Sequence, residues 1–128
     1  MREHIYRGKR IDNKEWEYGN LIIDGNFAYI ILLENIDRYD RHEVDPETVG
    51  QFTGSLDKNG ARIFEGDILA SGEGRVPTLV EWVKEDCGFY IFNLQRNRER
   101  NRFDKYFKPF VGEVIGNIHD NPELLEAK

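Results

Sequence analysis

Glu65 and Asp67 flank Gly66, and two carboxylates held across a glycine could do chemistry. Such a pair can contribute to a divalent-cation site or to acid–base catalysis. A cation needs further oxygen ligands, and neither a His-x-Glu nor an Asp-x-Asp-x-Asp-Gly spacing is present. The other reading is steric: glycine makes the bend between two apolar runs, and the aspartate accepts backbone N–H groups inside it. The sequence favours this structural role. His4, His42 and His119 share no spacing. His119 precedes Asp120, as an oriented base would, but no Ser or Cys stands in a nucleophile-elbow or oxyanion context, so all three histidines are read as surface or hydrogen-bonding residues. The single cysteine, Cys87, excludes an intramolecular disulfide and a multi-thiolate zinc site, and it reads as a small core or turn residue. The glycines match no phosphate-cradling motif, and Gly72-Glu73-Gly74 alone is too short to be one. Hence no catalytic residue, metal or cofactor is expected, and the chain is read as a non-enzyme.

Charge carries the functional expectation. Residues 96–108 (RNRERNRFDKYFK) hold six basic and two acidic residues, 6 − 2 = +4. The whole chain has 18 basic and 24 acidic residues, so the remainder has 12 against 22, or −10. A basic segment on an acidic body can steer an anionic partner, or it can pair with its own acidic neighbours. Arg96, Arg98, Arg100, Arg102, Lys105 and Lys108 could meet phosphates, with Asn97 and Asn101 at base edges and Phe103 or Tyr106 stacking. The plainer alternative is a solvated face whose arginines pair with an acidic neighbour or a second subunit. The expected partner is thus a protein or a nucleic acid, and the alternative is a homo-oligomeric structural or assembly protein whose uncovered strand edges pair.

The 128 residues suit one domain, at roughly 100–200 residues each. With 39% hydrophobic and 12% aromatic residues, the chain can fill a core, so disorder is not expected. The longest apolar run, residues 27–33, is far short of the ~20 residues of a membrane-spanning helix. Met1-Arg2-Glu3-His4 opens without the apolar stretch of a signal peptide, so a soluble cytoplasmic protein is expected.

Turn chemistry sets the elements that would position these residues. Residues 15–23 place Trp16, Tyr18 and Ile22 on one face at period two, Asp24-Gly25-Asn26 reads as a tight turn, and 27–33 reads as a buried central strand. Together 15–33 predict a hairpin. Asp45-Pro46 predicts a turn or a single helical turn. Strands at 49–56 and 61–64 enclose Asp57-Lys58-Asn59-Gly60, whose Asn-Gly predicts a type I′ turn. Glu65-Gly66-Asp67 predicts a bend before Ile68. Strands follow at 76–84, 89–94 and 111–118, with Pro77 confined to an edge or initial position of its strand. Asn121-Pro122-Glu123 reads as a cap, a first-position proline and a first-turn acid of a very short helix. Phe103, Tyr106, Phe107 and Phe110 recur at i, i+3, i+4 and i+7, so the basic segment is expected to be a short helix, or a loop leading into one, with Glu99 and Arg102 paired and Pro109 ending it. Short strands separated by frequent turns imply an antiparallel sandwich or small barrel.

The blocks Tyr6-Arg7-Gly8-Lys9-Arg10-Ile11-Asp12-Asn13, Glu15-Trp16, Tyr18-Gly19, Val44-Asp45-Pro46-Glu47-Thr48-Val49-Gly50-Gln51-Phe52-Thr53-Gly54, Asp57-Lys58-Asn59-Gly60 and Ile63-Phe64-Glu65-Gly66-Asp67-Ile68 are distinctive in their order. With Val114-Ile115-Gly116-Asn117-Ile118 and Asp120-Asn121-Pro122-Glu123-Leu124-Leu125, the sequence resembles the YopX-like proteins of bacteriophages and prophages over nearly its whole length. Residues 34–43 and 84–108 match least. The resemblance implies a mainly β fold with an SH3-like barrel element around the Glu-Gly-Asp turn, a phage or prophage origin in a bacterial host cell, and no established activity. The expected architecture is a single domain, 1–128, mainly β, in which an antiparallel meander (1–56) precedes an SH3-like small barrel (60–128), with one or two short helices.

Overall fold

The computed structural model describes residues 4–32, 40–71, 76–93, 99–102 and 112–126. Its strands are β1 (Tyr6–Lys9), β2 (Trp16–Asp24), β3 (Phe27–Leu32), β4 (Arg41–Val44), β5 (Gly50–Leu56), β6 (Arg62–Phe64), β7 (Asp67–Ser71), β8 (Val76–Val83), β9 (Gly88–Asn93), β10 (Glu99–Arg102) and β11 (Glu113–Asn117). They form two antiparallel sheets, ordered β4-β3-β2-β1-β5-β6 and β10-β9-β8-β7-β11. The mainly β, antiparallel expectation is met. Among the described residues neither sheet closes into a barrel, and the short helices are single 3-10 turns at Pro46–Thr48, Lys84–Asp86 and Pro122–Leu125. By contacts the chain divides into two compact units, Met1–Phe52 and Thr53–Lys128.

In the first unit β2 and β3 form the expected hairpin, closed at Asp24↔Phe27 by Gly25 and Asn26. Gly25 lies at φ +61. A positive φ at the first loop position alone matches a type II′ turn, whose twist suits flanking strands. Alternation along β3 puts Ala28 and Ile30 on one face, where they pack with Val44 and with the half-buried Tyr6, Leu21 and Val49. Full burial of a side chain such as Ile30 contributes about 1.5–3 kcal/mol.

The Asp45-Pro46 turn forms as the sequence predicts. The Asp45 carboxylate accepts the Glu47 N–H at 3.0 Å, and Thr48 Oγ1 donates to the Asp45 carbonyl at 2.7 Å. Thr48 Oγ1 also accepts the Lys9 N–H at 2.9 Å, while the Asp45 N–H donates to the Lys9 carbonyl at 2.8 Å. A bridge between Arg10 and Val44, and the Ile11 N–H on the Glu43 carbonyl at 3.2 Å, lay the end of β1 against β4.

In the second unit Ile63, Leu69, Val80, Phe89 and Ile91 form the core, with Val114 packed on it. The turn at 57–60 differs from the expected type I′. Gly60 has φ +86, but Asn59 is not in the positive-φ region. The Gly60 N–H donates to the Asp57 carbonyl at 3.0 Å and the Asp57 N–H to the Ala61 carbonyl at 2.8 Å. These bonds describe a type I turn followed by a left-handed glycine, the three-residue hairpin loop with a bulge. Asp57 decides the matter, because its carboxylate accepts both the Asn59 and Ala61 N–H groups, at 2.8 and 2.9 Å.

Pro77 lies in the first part of β8, opposite Ala70 of β7, while pairing with β9 begins only at Leu79. Its missing N–H therefore costs no ladder bond on the β9 side, as expected of a strand's initial position. Strand β11 pairs with β7 with a register shift between Val114 and Gly116. Asn121 makes no side-chain cap on the turn it precedes; its Oδ1 accepts the Asn117 N–H at 3.3 Å instead.

Candidate partner interface

The basic segment is where structure departs most from the sequence-based expectation. Residues 99–102 are a strand, β10, and not a helix, so Glu99 and Arg102 do not meet as helical i, i+3 neighbours. Arg96, Arg98, Lys105 and Lys108 lie outside the described residues, as do Asn97, Phe103, Tyr106, Phe107, Pro109 and Phe110. The signal for a strand was present: arginine recurs at 96, 98, 100 and 102, a period of two that competes with the helical spacing of the aromatics. Among the described residues strand β10 stands at the end of its sheet and pairs with β9 alone. Arg100 falls opposite Phe92 and Arg102 opposite Tyr90, while Asn101 falls opposite Ile91. The backbone register thus sets cationic positions beside aromatic ones at a sheet edge. Charged edge strands also discourage indiscriminate edge-to-edge pairing.

The Glu65-Gly66-Asp67 bend has the local role that its sequence suggests. Asp67 is 2% exposed, and its Oδ2 accepts the Phe64 N–H at 2.7 Å. Gly66, at φ +93, donates its N–H to the Val80 carbonyl and accepts the Ile118 N–H, both at 2.8 Å. Every group in the bend that these bonds use is committed to backbone. Among the described residues no group of three or more His, Cys, Asp and Glu side chains is placed to hold a metal ion.

The remaining sequence candidates are dispersed. His4 and His119 are exposed. The N–H groups of His119 and Asp120 both donate to Asn117 Oδ1, at 3.0 and 2.9 Å, which makes 117–120 an Asx-stabilised turn. Cys87 is an exposed turn residue at φ +49, with its Sγ 3.6 Å from the Lys84 carbonyl.

Sequence reasoning missed a polar cluster in the first unit. Arg10 grips Asp12 with two bonds, Nε to Oδ1 at 2.9 Å and Nη2 to Oδ2 at 2.7 Å. Its Nη1 reaches Glu17 Oε1 at 3.3 Å. His42 Nδ1 lies 3.2 Å from the same Glu17 oxygen, and its Nε2 lies 3.7 Å from Asp40. The hydrogen bond to Asp12 raises the Arg10 pKa above its ordinary value, and its counterpart from Arg10 holds the Asp12 carboxyl below the usual one. Arg-x-Asp is visible in sequence. Glu17 and His42 join it only because Gly8 pairs with Glu17, Ile30 with His42, and Arg10 bridges Val44. The cluster ties the ends of β1, β2 and β4 together by charge-assisted bonds.

A second missed feature is the other face of the same sheet. There the Arg7 guanidinium lies 4.6 Å from the Trp16 ring centroid, Lys9 Nζ lies 5.7 Å from that ring, and the Arg41 guanidinium lies 4.2 Å from the Tyr29 centroid. These are cation–π distances.

Together these features define a small antiparallel β protein whose candidate site lies on a strand edge. Among the described residues no helix is long and apolar enough to cross a membrane. The model of the YopX protein family matches residues 5–126, and the chain belongs to that family. The fold is similar to that in the crystal structure of protein EF1440 from Enterococcus faecalis, with a TM-score of 0.60 and 23% identity over 98% of this chain and 100% of that one. No curated protein matches the chain.

Proposed function

We propose that this chain is a phage or prophage accessory protein working in the cytoplasm of the bacterial host as a non-enzymatic binding module, through a surface contact with a protein or nucleic acid made by the 96–108 segment. The observation carrying this reading is the register of β10, which sets Arg100 and Arg102 opposite Phe92 and Tyr90 at a sheet edge. Cations beside aromatics suit a polyanion whose phosphates pair and whose bases stack, and an edge strand also offers backbone groups to an extended peptide. The resemblance to phage and prophage proteins supports the setting.

Anisotropy titrations of labelled single- and double-stranded DNA and RNA at low salt test the nucleic-acid form. The expected result is binding that weakens when Arg96, Arg98, Arg100 and Arg102 are replaced by Ala, with the salt slope on single strands falling by about 0.7 per lost phosphate contact. Absence of binding, or binding indifferent to the four replacements, eliminates it. A pull-down from an induced host with wild-type and replaced protein tests the protein form by the same comparison.

A second reading, a homo-oligomeric structural or assembly protein, is favoured by the sheet order, in which β10 and β11 stand at the two ends of their sheet among the described residues. Light scattering over a wide concentration range is expected to show self-association in that case. A strict monomer rules it out.

A further inference from the structure

We propose that β10 takes an acidic, extended peptide as a further strand of its sheet, so that the partner of the 96–108 segment is a protein strand and neither a second copy of this chain nor a nucleic acid. This assignment rests on the reading of that segment as the contact and names its partner. Among the described residues β10 has one neighbour, β9, in register from Glu99↔Asn93 to Arg102↔Tyr90. A strand with one neighbour offers its remaining N–H and C=O groups to another, and bonding to them gives affinity whatever the side chains are. The side-chain positions then decide which strand is admitted.

The order Glu99-Arg100-Asn101-Arg102 rejects its own copy. Two identical strands that pair antiparallel about a two-fold axis place one residue opposite itself. Centred on Glu99, such a pair sets glutamate against glutamate; centred on Arg100 or Arg102, arginine against arginine; centred on Asn101, Arg100 against Arg102 twice. Parallel pairing of like with like repeats every conflict. Like charges directly opposite destabilise a ladder. Self-association through the sheet ends is therefore left to β11.

The same positions select a foreign strand. Across the ladder Leu79, Phe92 and Arg100 form one row and Glu81, Tyr90 and Arg102 the next, while Glu99 and Asn101 alternate with the arginines along β10. Within these two rows of β8, β9 and β10 the carboxylate position is Glu81, and Tyr90 stands between it and Arg102. An added strand thus meets two cationic positions on one side of the sheet, and carboxylates at alternate residues, opposite Arg100 and Arg102, complement them. Directly opposed residues of neighbouring strands have Cβ atoms about 4.5–5.5 Å apart, a distance that opposite charges use favourably. The surrounding sequence adds to the attraction, since residues 96–108 hold a net +4 in a chain of net charge −6. A nucleic acid neutralises the same charge but has no row of N–H and C=O groups with which to continue the ladder.

Peptides whose charge and backbone vary independently test this in the full chain. The probe is a fluorescein-labelled peptide of alternating Thr and Glu, about ten residues long, the upper end of ordinary strand lengths. Anisotropy is expected to show binding of this peptide and not of its Thr–Lys counterpart. N-methylation at every Thr, or at every Glu, keeps the charge but removes ladder N–H groups, and at least one of these two analogues should bind about tenfold more weakly or worse. Arg100→Ala/Arg102→Ala should weaken binding of the Thr–Glu peptide about 2- to 30-fold, the loss of two cross-strand charge pairs. Arg100→Glu/Arg102→Glu should transfer the preference to the Thr–Lys peptide, a gain that no misfolded variant shows. The peptide partner is overturned by absence of Thr–Glu binding, by N-methylated analogues that both bind as tightly as the parent peptide, or by binding indifferent to the arginine replacements. If DNA or RNA then binds in dependence on Arg96, Arg98, Arg100 and Arg102, the 96–108 contact stands and only its peptide partner falls. If neither peptide nor nucleic acid senses those arginines, both fall. Self-association lost on charge reversal makes a second copy the occupant and likewise overturns the assignment.

Discussion

The Asp57 carboxylate accepts the backbone N–H of Val114 at 3.0 Å, across 57 positions of sequence. The same side chain closes its own turn through the N–H groups of Asn59 and Ala61. Around it the Lys58 N–H donates to the Gly112 carbonyl at 2.9 Å, and Asn59 Nδ2 to Glu113 Oε2 at 3.3 Å. One carboxylate therefore both shapes a hairpin loop and fastens β11.

Replacing it should cost more than an ordinary turn mutation. Asp57→Ala leaves three backbone N–H donors without their acceptor in a site where Asp57 is 7% exposed, which predicts a loss of about 2–4 kcal/mol. Asp57→Asn keeps one oxygen but turns an amide towards one of the donors, so it should fall between the two. Urea denaturation measures both. The same residue sets an acid limit. Burial pushes its carboxyl up, but the N–H groups of Val114, Ala61 and Asn59 and the charge of Lys58 outweigh burial and hold it below the ordinary 3.8. The unfolded chain thus binds the proton more readily. The contribution is complete above about pH 4 and fades as pH falls through the folded value. Asp57→Asn should flatten that part of the stability–pH curve.

Gly19 is constrained by close approach. A Cβ there would meet the Ile31 carbonyl oxygen at 1.9 Å and its carbon at 2.8 Å, both backbone atoms. Gly19→Ala must part β2 from β3 and should destabilise the protein by about 3 kcal/mol or more. At Gly25 a Cβ meets nothing within 4 Å, and only the positive φ is at stake, so Gly25→Ala should lose about 1–2 kcal/mol. Thermal unfolding of the pair separates collision from backbone strain.

The Arg10–Asp12 contact is exposed, and its signature is a titration. The Asp12 carboxyl should titrate below 3.8 in a carbon-detected NMR series and return towards that value in Arg10→Ala, because the Arg10 hydrogen bond is the chief cause of its depression. Added salt should reduce the Coulombic part of the difference.

Cys87 combines exposure with a left-handed backbone at φ +49. It should react with thiol reagents in the folded protein without denaturant. Cys87→Gly should raise stability by about 0.5–1 kcal/mol by removing the Cβ strain, read from the shift in the urea midpoint.

The hairpins at Gly25 and Gly60 and the Asp45-Pro46 turn were legible because their chemistry is local: a glycine, a proline and a capping carboxylate act within a few residues. The type of the 57–60 turn was not, since Asn-Gly favours type I′ while the Asp57 carboxylate stabilises the alternative. The stretch 96–110 carries two periods at once, arginines every second position and aromatics at helical spacing. Over 99–102 the strand prevails because β9 offers a ladder of backbone partners that an isolated helical turn lacks. Of the proposed contact residues, Arg100 and Arg102 gained a place in the fold, whereas the Arg10, Glu17 and His42 cluster had no sequence pattern to reveal it.

By itself the amino-acid order determined the β character, the positions of the corners and the family, because alternation, turn chemistry and motif spacing are properties of neighbouring residues. Only the tertiary structure decided that β1 lies between β2 and β5, that β11 joins β7, and that β10 ends its sheet. Partner strands are chosen by burial and backbone pairing between segments far apart in the chain. The same pairing gathers Lys9, Trp16, Tyr18 and Arg41 on one face, which no reading of local pattern could assemble.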